Sequence, residues 1–169
     1  MSEGHVQLEL VRKLMSLPAD RREWSPDDWK LLRNRKAFIS VESGQETSET
    51  VSQWNGLVPA DFAIKATGRS TEKSPGFTDE ITFIDRRLDA PYEATRDDAF
   101  VALLTINELT KPEVETRLCR SSIGNSDLSF LPLRGSLWGE LRTEFGDVEI
   151  DRHFARLPET FAAFEALLF

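Results

Sequence analysis

The chain has one cysteine, Cys119, so no disulfide can close within it. Small secreted domains usually depend on disulfides, and a reducing, cytoplasmic setting is the expectation. Long apolar runs are also missing, and no stretch approaches the ~20 residues a membrane span needs. Met1 to His5 carries no basic segment leading into an apolar one, so no secretory leader is expected. The chemical signatures that most often reveal an enzyme are absent as well. There is no phosphate loop, dinucleotide fingerprint, His-Glu-x-x-His, Gly-x-Ser-x-Gly elbow or Cys-x-x-Cys pair. Nucleotide, zinc-protease and hydrolase readings therefore lose their strongest support, and no cofactor is expected.

Positive charge is in deficit. Asp and Glu number 29 against 21 Lys and Arg, a formal net charge of −8. Nucleic-acid binding draws on cations that neutralise phosphates, so this balance argues against it. It argues equally against anionic membrane surfaces and fits a basic protein partner. Hydrophobic residues make up 40% of the 169, enough for a packed core. The length suits one domain spanning 1–169, with 1–36 as a helical N-terminal subregion.

Helical periodicity opens the chain. Val6, Leu10, Val11, Leu14 and Leu17 share a stripe over 6–17, and Pro18 stops it. Ser25-Pro26-Asp27-Asp28 reads as a second helix start, with Trp29 and Leu32 on one face. A β-like region follows. Residues 37–41 read as a strand, 42–50 as a polar loop, and Asn55-Gly56 as a hairpin turn. Segment 61–67 extends the sheet, 68–76 forms a flexible loop, and 80–85 is another strand.

The second half alternates. Thr95 caps a helix with Asp97 and Asp98 in its first turn and Phe100, Leu103, Leu104 and Ile106 inside. Thr110-Lys111-Pro112-Glu113 fits a capping box, yet Val114, Thr116 and Leu118 alternate like a strand, so 113–120 stays open between helix and strand. Residues 127–133 read as a strand that Pro132 pushes to an edge, 136–145 as a helix, and 147–154 as a strand. An amphipathic helix over 158–169 closes the sequence. The fold class is α+β: N-terminal helices, an antiparallel β-meander, and a mixed C-terminal half ending in that helix.

Three constellations carry chemistry. In a strand, Asp147, Glu149, Asp151 and His153 share one face, and carboxylates with imidazole are usual ligands of Mn, Fe or Zn. Same-face neighbours lie ~7 Å apart, so one ion could draw only two of them. Further ligands would have to come from elsewhere, such as the acids of segment 79–85. The competing reading is the solvated face of a half-buried strand.

The second constellation is basic and aromatic. Arg33, Arg35 and their basic neighbours surround Trp24 and Trp29, a pattern suited to phosphates and stacked bases. Segment 51–56 resembles the end of a helix-turn-helix recognition helix over those few residues. The third is the aromatic supply, with three of four tryptophans between positions 24 and 54 and a terminal helix carrying Phe164 and Phe169. Aromatics dominate protein interfaces as well as cores.

Weaker patterns have simpler explanations. Ser70-Thr71-Glu72-Lys73 matches Ser-x-x-Lys but lies in a polar loop. Residues 26–30 resemble pieces of metal-dependent nucleases, yet they are contiguous in a helix start. Cys119 needs a histidine in contact to act as a nucleophile, and His5 and His153 are the only histidines.

The balance favours a non-enzymatic protein-binding module of the acidic chaperone, inhibitor or immunity type. Its partner-binding candidates are Trp24, Trp29, Arg33, Arg35, Phe164 and Phe169. The alternatives are a metal-assisted enzyme using the 147–153 stripe and a nucleic-acid regulator using the basic helix.

Overall fold

The helix over Asp98–Thr110 explains the layering of the protein. Its sequence, DAFVALLTINELT, carries apolar residues around most of its circumference, and ten of its residues are buried, with Glu108 left exposed. A helix apolar on most sides must be covered on most sides. Here it lies between two antiparallel sheets. The computed structural model describes residues 3–17, 25, 27, 37–93 and 97–169.

In chain order the described elements are α1 (Glu3–Met15), β1 (Ile39–Glu42), α2 (Thr47–Asn55), β2 (Ile64–Ser70), β3 (Phe77–Phe83), β4 (Arg86–Asp89), α3 (Asp98–Thr110), β5 (Val114–Cys119), β6 (Asp127–Arg134), α4 (Gly135–Phe145), α5 (Asp147–His153), β7 (Phe154–Arg156) and α6 (Phe161–Leu168). Four strands form one sheet in the order β1-β6-β5-β7, and β2-β3-β4 form a three-stranded meander. All the pairings are antiparallel. This is an α+β fold, as the sequence pattern predicts.

Two cores lie on opposite faces of the four-stranded sheet. On one face Ile39, Leu118 and Phe130 meet α2 and α3, and beyond those helices lie Ile64, Ile81 and Phe83 of the meander. On the other face Leu131, Leu133 and Phe154 meet Leu8 and Val11 of α1, Trp138 of α4 and Ile150 of α5. The near-continuous apolar run of β6 follows from this double burial, because both of its faces are covered.

β6 is a central strand, which corrects the edge placement expected from Pro132. Pro132 lies opposite Thr116, and the Thr116 N–H donates to Asn107 Oδ1 at 2.8 Å rather than into the ladder. The Pro132 nitrogen therefore faces the β1 side, where pairing runs only from Asp127 to Phe130. No ladder bond is lost. Thr116 also accepts from Trp54 Nε1 at 3.3 Å, so the buried polar groups of this layer serve one another.

Several local expectations are replaced. Thr47–Asn55 is a helix, not a loop ending in a hairpin. Its apolar contribution is small, chiefly Val51 and Trp54, spaced for one helical face. Asn55 does not turn a hairpin. Its side chain donates to Ile64 O at 2.9 Å and accepts from Ile64 N at 2.8 Å, pinning the start of β2 to the end of α2. Residues 68–70 belong to β2, so the expected loop at 68–76 shrinks to a hairpin tip. Lys111 ends α3 instead of opening a capping box, and 114–119 is strand. Asp97, accepting from Ala99 N, caps α3, and Thr95 lies outside the described residues. The expected helix over 6–17 is present as α1.

Replacing Asn55 by Ala removes both bonds to the Ile64 backbone and leaves a partly buried N–H and C=O without them. The expected loss is about 2 kcal/mol. Denaturant unfolding checks it, and an unchanged midpoint would contradict the proposed lock.

Candidate functional site

Strand β3 builds one wall of a cleft through simple alternation. Phe77, Asp79, Ile81 and Phe83 share a face. Ile81 and Phe83 are fully buried against the helical layer. Phe77 and Asp79 continue along the same face, past the packed core, and line the cleft. Phe77 is 46% exposed and lies against Tyr92, with ring centroids 5.6 Å apart.

The opposite walls are helix starts. Segment 43–48 leads into α2, Asp97 and Asp98 begin α3, and Phe161 begins α6. The cleft is open to solvent and its volume is about 740 Å³. Carboxylates dominate: Glu46, Asp79, Asp97, Asp98 and Glu165 line it, and no described lining residue is basic. Helix N-termini favour nearby negative charge, which accounts for Glu46 and Asp97. Asp79 comes from a strand and Glu165 from the second turn of α6, so dipole compensation does not explain them.

A hydrogen-bonded chain holds the floor. Tyr92 donates its hydroxyl proton to Asp79 Oδ2 at 2.8 Å. Tyr92 has one such proton, so the 2.6 Å contact with Thr47 places Thr47 as donor to the Tyr92 oxygen. Burial, followed by the neighbouring Asp79 carboxylate, pushes the Tyr92 phenol well above its ordinary range. Tyr92 therefore acts as a fixed donor that orients Asp79.

Asp98 shows the electrostatic character of the cleft. Desolvation raises its pKa most, and repulsion from Asp97 and Asp79 raises it further. A cation entering the cleft would relieve that repulsion. Among the described residues no group of three His, Cys, Asp or Glu side chains is arranged to hold a metal ion. Carboxylates spread over a wide cleft beside aromatic faces suit the ammonium and guanidinium groups of protein side chains, which combine ion pairing with cation–π contact.

The residues singled out in the sequence lie elsewhere. Asp147, Glu149, Asp151 and His153 are on α5, a helix and not a strand, so they do not form a single stripe. The positive φ of Gly146, +84°, separates α4 from α5. Glu149 pairs with Arg152 at 3.1 Å and with His153 at 3.4 Å. Asp147 approaches Arg142 at 3.7 Å. Of the acids in segment 79–85, Asp79 does line a cleft, but with Asp97 and Asp98.

Asp151 serves the second core. Arg117 is wholly buried, stacked 4.4 Å from the Trp138 ring, and pairs with Glu115 at 2.9 Å and Asp151 at 3.1 Å. Arg120 Nε also donates to the Asp151 backbone oxygen at 2.9 Å. These contacts tie α5 to the sheet.

Phe164 is buried in the first core beside Phe100 and Phe130, so it closes its own domain layer rather than facing a partner. Phe169 is fully exposed. Trp24, Trp29, Arg33 and Arg35 lie outside the described residues. Cys119 is buried, and burial raises its thiol pKa far above the ordinary value, the opposite of an activated nucleophile. Among the described residues no helix is long and apolar enough to cross a membrane.

Two stability measurements follow. The folded state holds the Asp98 proton more tightly than the unfolded chain does. The contribution of Asp98 to stability therefore rises as pH falls from the raised value toward 3.8, and its charge at neutral pH is a cost. Asp98→Asn should melt at or above the wild-type temperature at pH 7, with the gap closing in acid; a loss confined to pH 7 would show that the carboxylate anchors α3. Asp151→Ala leaves buried Arg117 with one acidic partner. Because Asp151 is 49% exposed, the expected cost is only about 1–2 kcal/mol. It should be the same with or without EDTA, whereas a loss seen only with divalent metal present would restore the metal role. No family model matches the chain, and comparisons with curated proteins and with solved structures found no match.

Proposed function

We propose that the protein is a non-enzymatic binding module that receives a basic surface of a partner protein in the cleft at the starts of α2, α3 and α6. The supporting observation is the charge of that cleft: five carboxylates line about 740 Å³ with no described basic residue among them. The net charge of −8 extends the same preference over longer range and would steer a basic partner toward the protein. The aromatic faces of Phe77 and Phe161 offer the apolar contact that turns steering into residence. A chaperone, inhibitor or immunity-type role fits such a surface, because each works by covering a partner.

The test is a quantitative pull-down from the native host with wild type and a Glu46→Lys/Glu165→Lys double variant. Both positions are exposed, so the fold should tolerate the change. The expected result is a stoichiometric partner with a basic surface, recovered with wild type and reduced about tenfold or more with the variant. Equal recovery by both proteins, or no stable partner at near-physiological salt, would contradict the proposal.

A further inference from the structure

The cleft does not end at Phe161. That side chain lines the 740 Å³ cleft and also a second, smaller hollow of about 210 Å³. The second hollow has a different character. Leu88 from β4, Val101 and Leu104 from α3, and Phe161 supply an apolar lining. Glu108 and Glu159 add acidic side chains, Asp89 is already paired with Arg69 at 2.8 Å, and again no described lining residue is basic.

Its origin lies in the packing. β4 is an edge strand of the meander, and Leu88 lies on the same face as Ile81, its ladder partner. Ile81 is covered completely, whereas Leu88 is only partly covered. α3 presents Val101 and Leu104 toward this edge, and α6 begins at Phe161 beyond them. The result is an apolar notch, large enough for one sizeable side chain, that opens beside an acidic cleft.

We infer that the two hollows form one groove for a basic amphipathic segment of a protein partner, with Lys or Arg side chains in the cleft and a single large apolar side chain anchored in the notch. This inference rests on the docking proposal above and adds the chemistry of the occupant. Charge complementarity selects it: the acidic side chains of both hollows disfavour an anionic lipid surface or a nucleic acid. The apolar notch gives specificity that charge alone lacks, because a buried anchor of the right size is required for tight binding. The arrangement also divides the work, with carboxylates accelerating encounter and the notch slowing departure.

Three fluorescein-labelled peptides test this on the full chain. The first alternates Lys and Ser around one central Phe, the second replaces that Phe by Ala, and the third replaces each Lys by Glu. Affinities are read by anisotropy at near-physiological salt, and binding sites by methyl chemical shifts. The Phe peptide should bind at least about tenfold more tightly than its Ala analogue, the value expected for burying one such side chain. It should shift the methyl groups of Leu88, Val101 and Leu104. Equal affinity of the Phe and Ala peptides, with shifts confined to the cleft, would overturn the anchor and leave the docking proposal standing. Failure of both basic peptides to bind, or equal binding of the Glu peptide, would overturn both.

Discussion

The period-two geometry of β3 is the constraint on which the cleft depends. One strand face must carry Phe77, Asp79, Ile81 and Phe83 together. Burial of Ile81 and Phe83 fixes which face that is. A one-residue slip would turn Asp79 to solvent and expose two fully buried apolar side chains, at about 1.5–3 kcal/mol each. Core packing thus sets the direction of a polar group two residues from Ile81. Tyr92 then completes the arrangement by donating to Asp79, and Thr47 holds Tyr92.

The helices behind this wall are equally constrained. α3 is enclosed by a sheet on each side, so its N-terminus is placed by two packed surfaces. α2 is tied to β2 through Asn55 and to the four-stranded sheet through the Ser40 N–H, which donates to Gln53 Oε1 at 2.8 Å. On the far side of that sheet, Arg117 joins β5 to α5 within a second apolar layer. Carboxylates held by such a scaffold cannot move apart to relieve repulsion. Burial raises the Asp98 pKa most, repulsion from Asp97 and Asp79 adds to it, and a cationic partner would relieve that repulsion.

The sequence carried the α+β character well, because long apolar stripes such as Leu10, Val11 and Leu14 in α1 have one interpretation. Short polar elements were harder to read. Thr47–Asn55 has only Val51 and Trp54 as its main apolar anchors, and the partner that decides the role of Asn55, the Ile64 backbone, is not a sequence neighbour. In Asp147–His153, Val148 and Ile150 alternate with acids as in a strand, while Glu149 and His153 are also spaced for a helix. Ile150 is buried and Val148 is exposed, a split that helical geometry permits and a half-buried strand does not. The cleft itself was legible only in fragments. Asp97 and Asp98 stood out as a helix start, but Asp79, Tyr92 and Glu165 look ordinary until the fold brings them together.

The packed scaffold gathers negative charge from the starts of α2 and α3, from β3 and from the second turn of α6, and sets aromatic surface beside it. Charge supplies attraction over distance and the aromatic and apolar surface supplies contact. The most direct measurement of the central claim is hydrogen exchange of the protein alone and in complex with its captured partner. The account predicts new protection over 43–48, around Asp79 and Tyr92, and at the start of α3. Protection centred on α5, with the cleft unchanged, would contradict it.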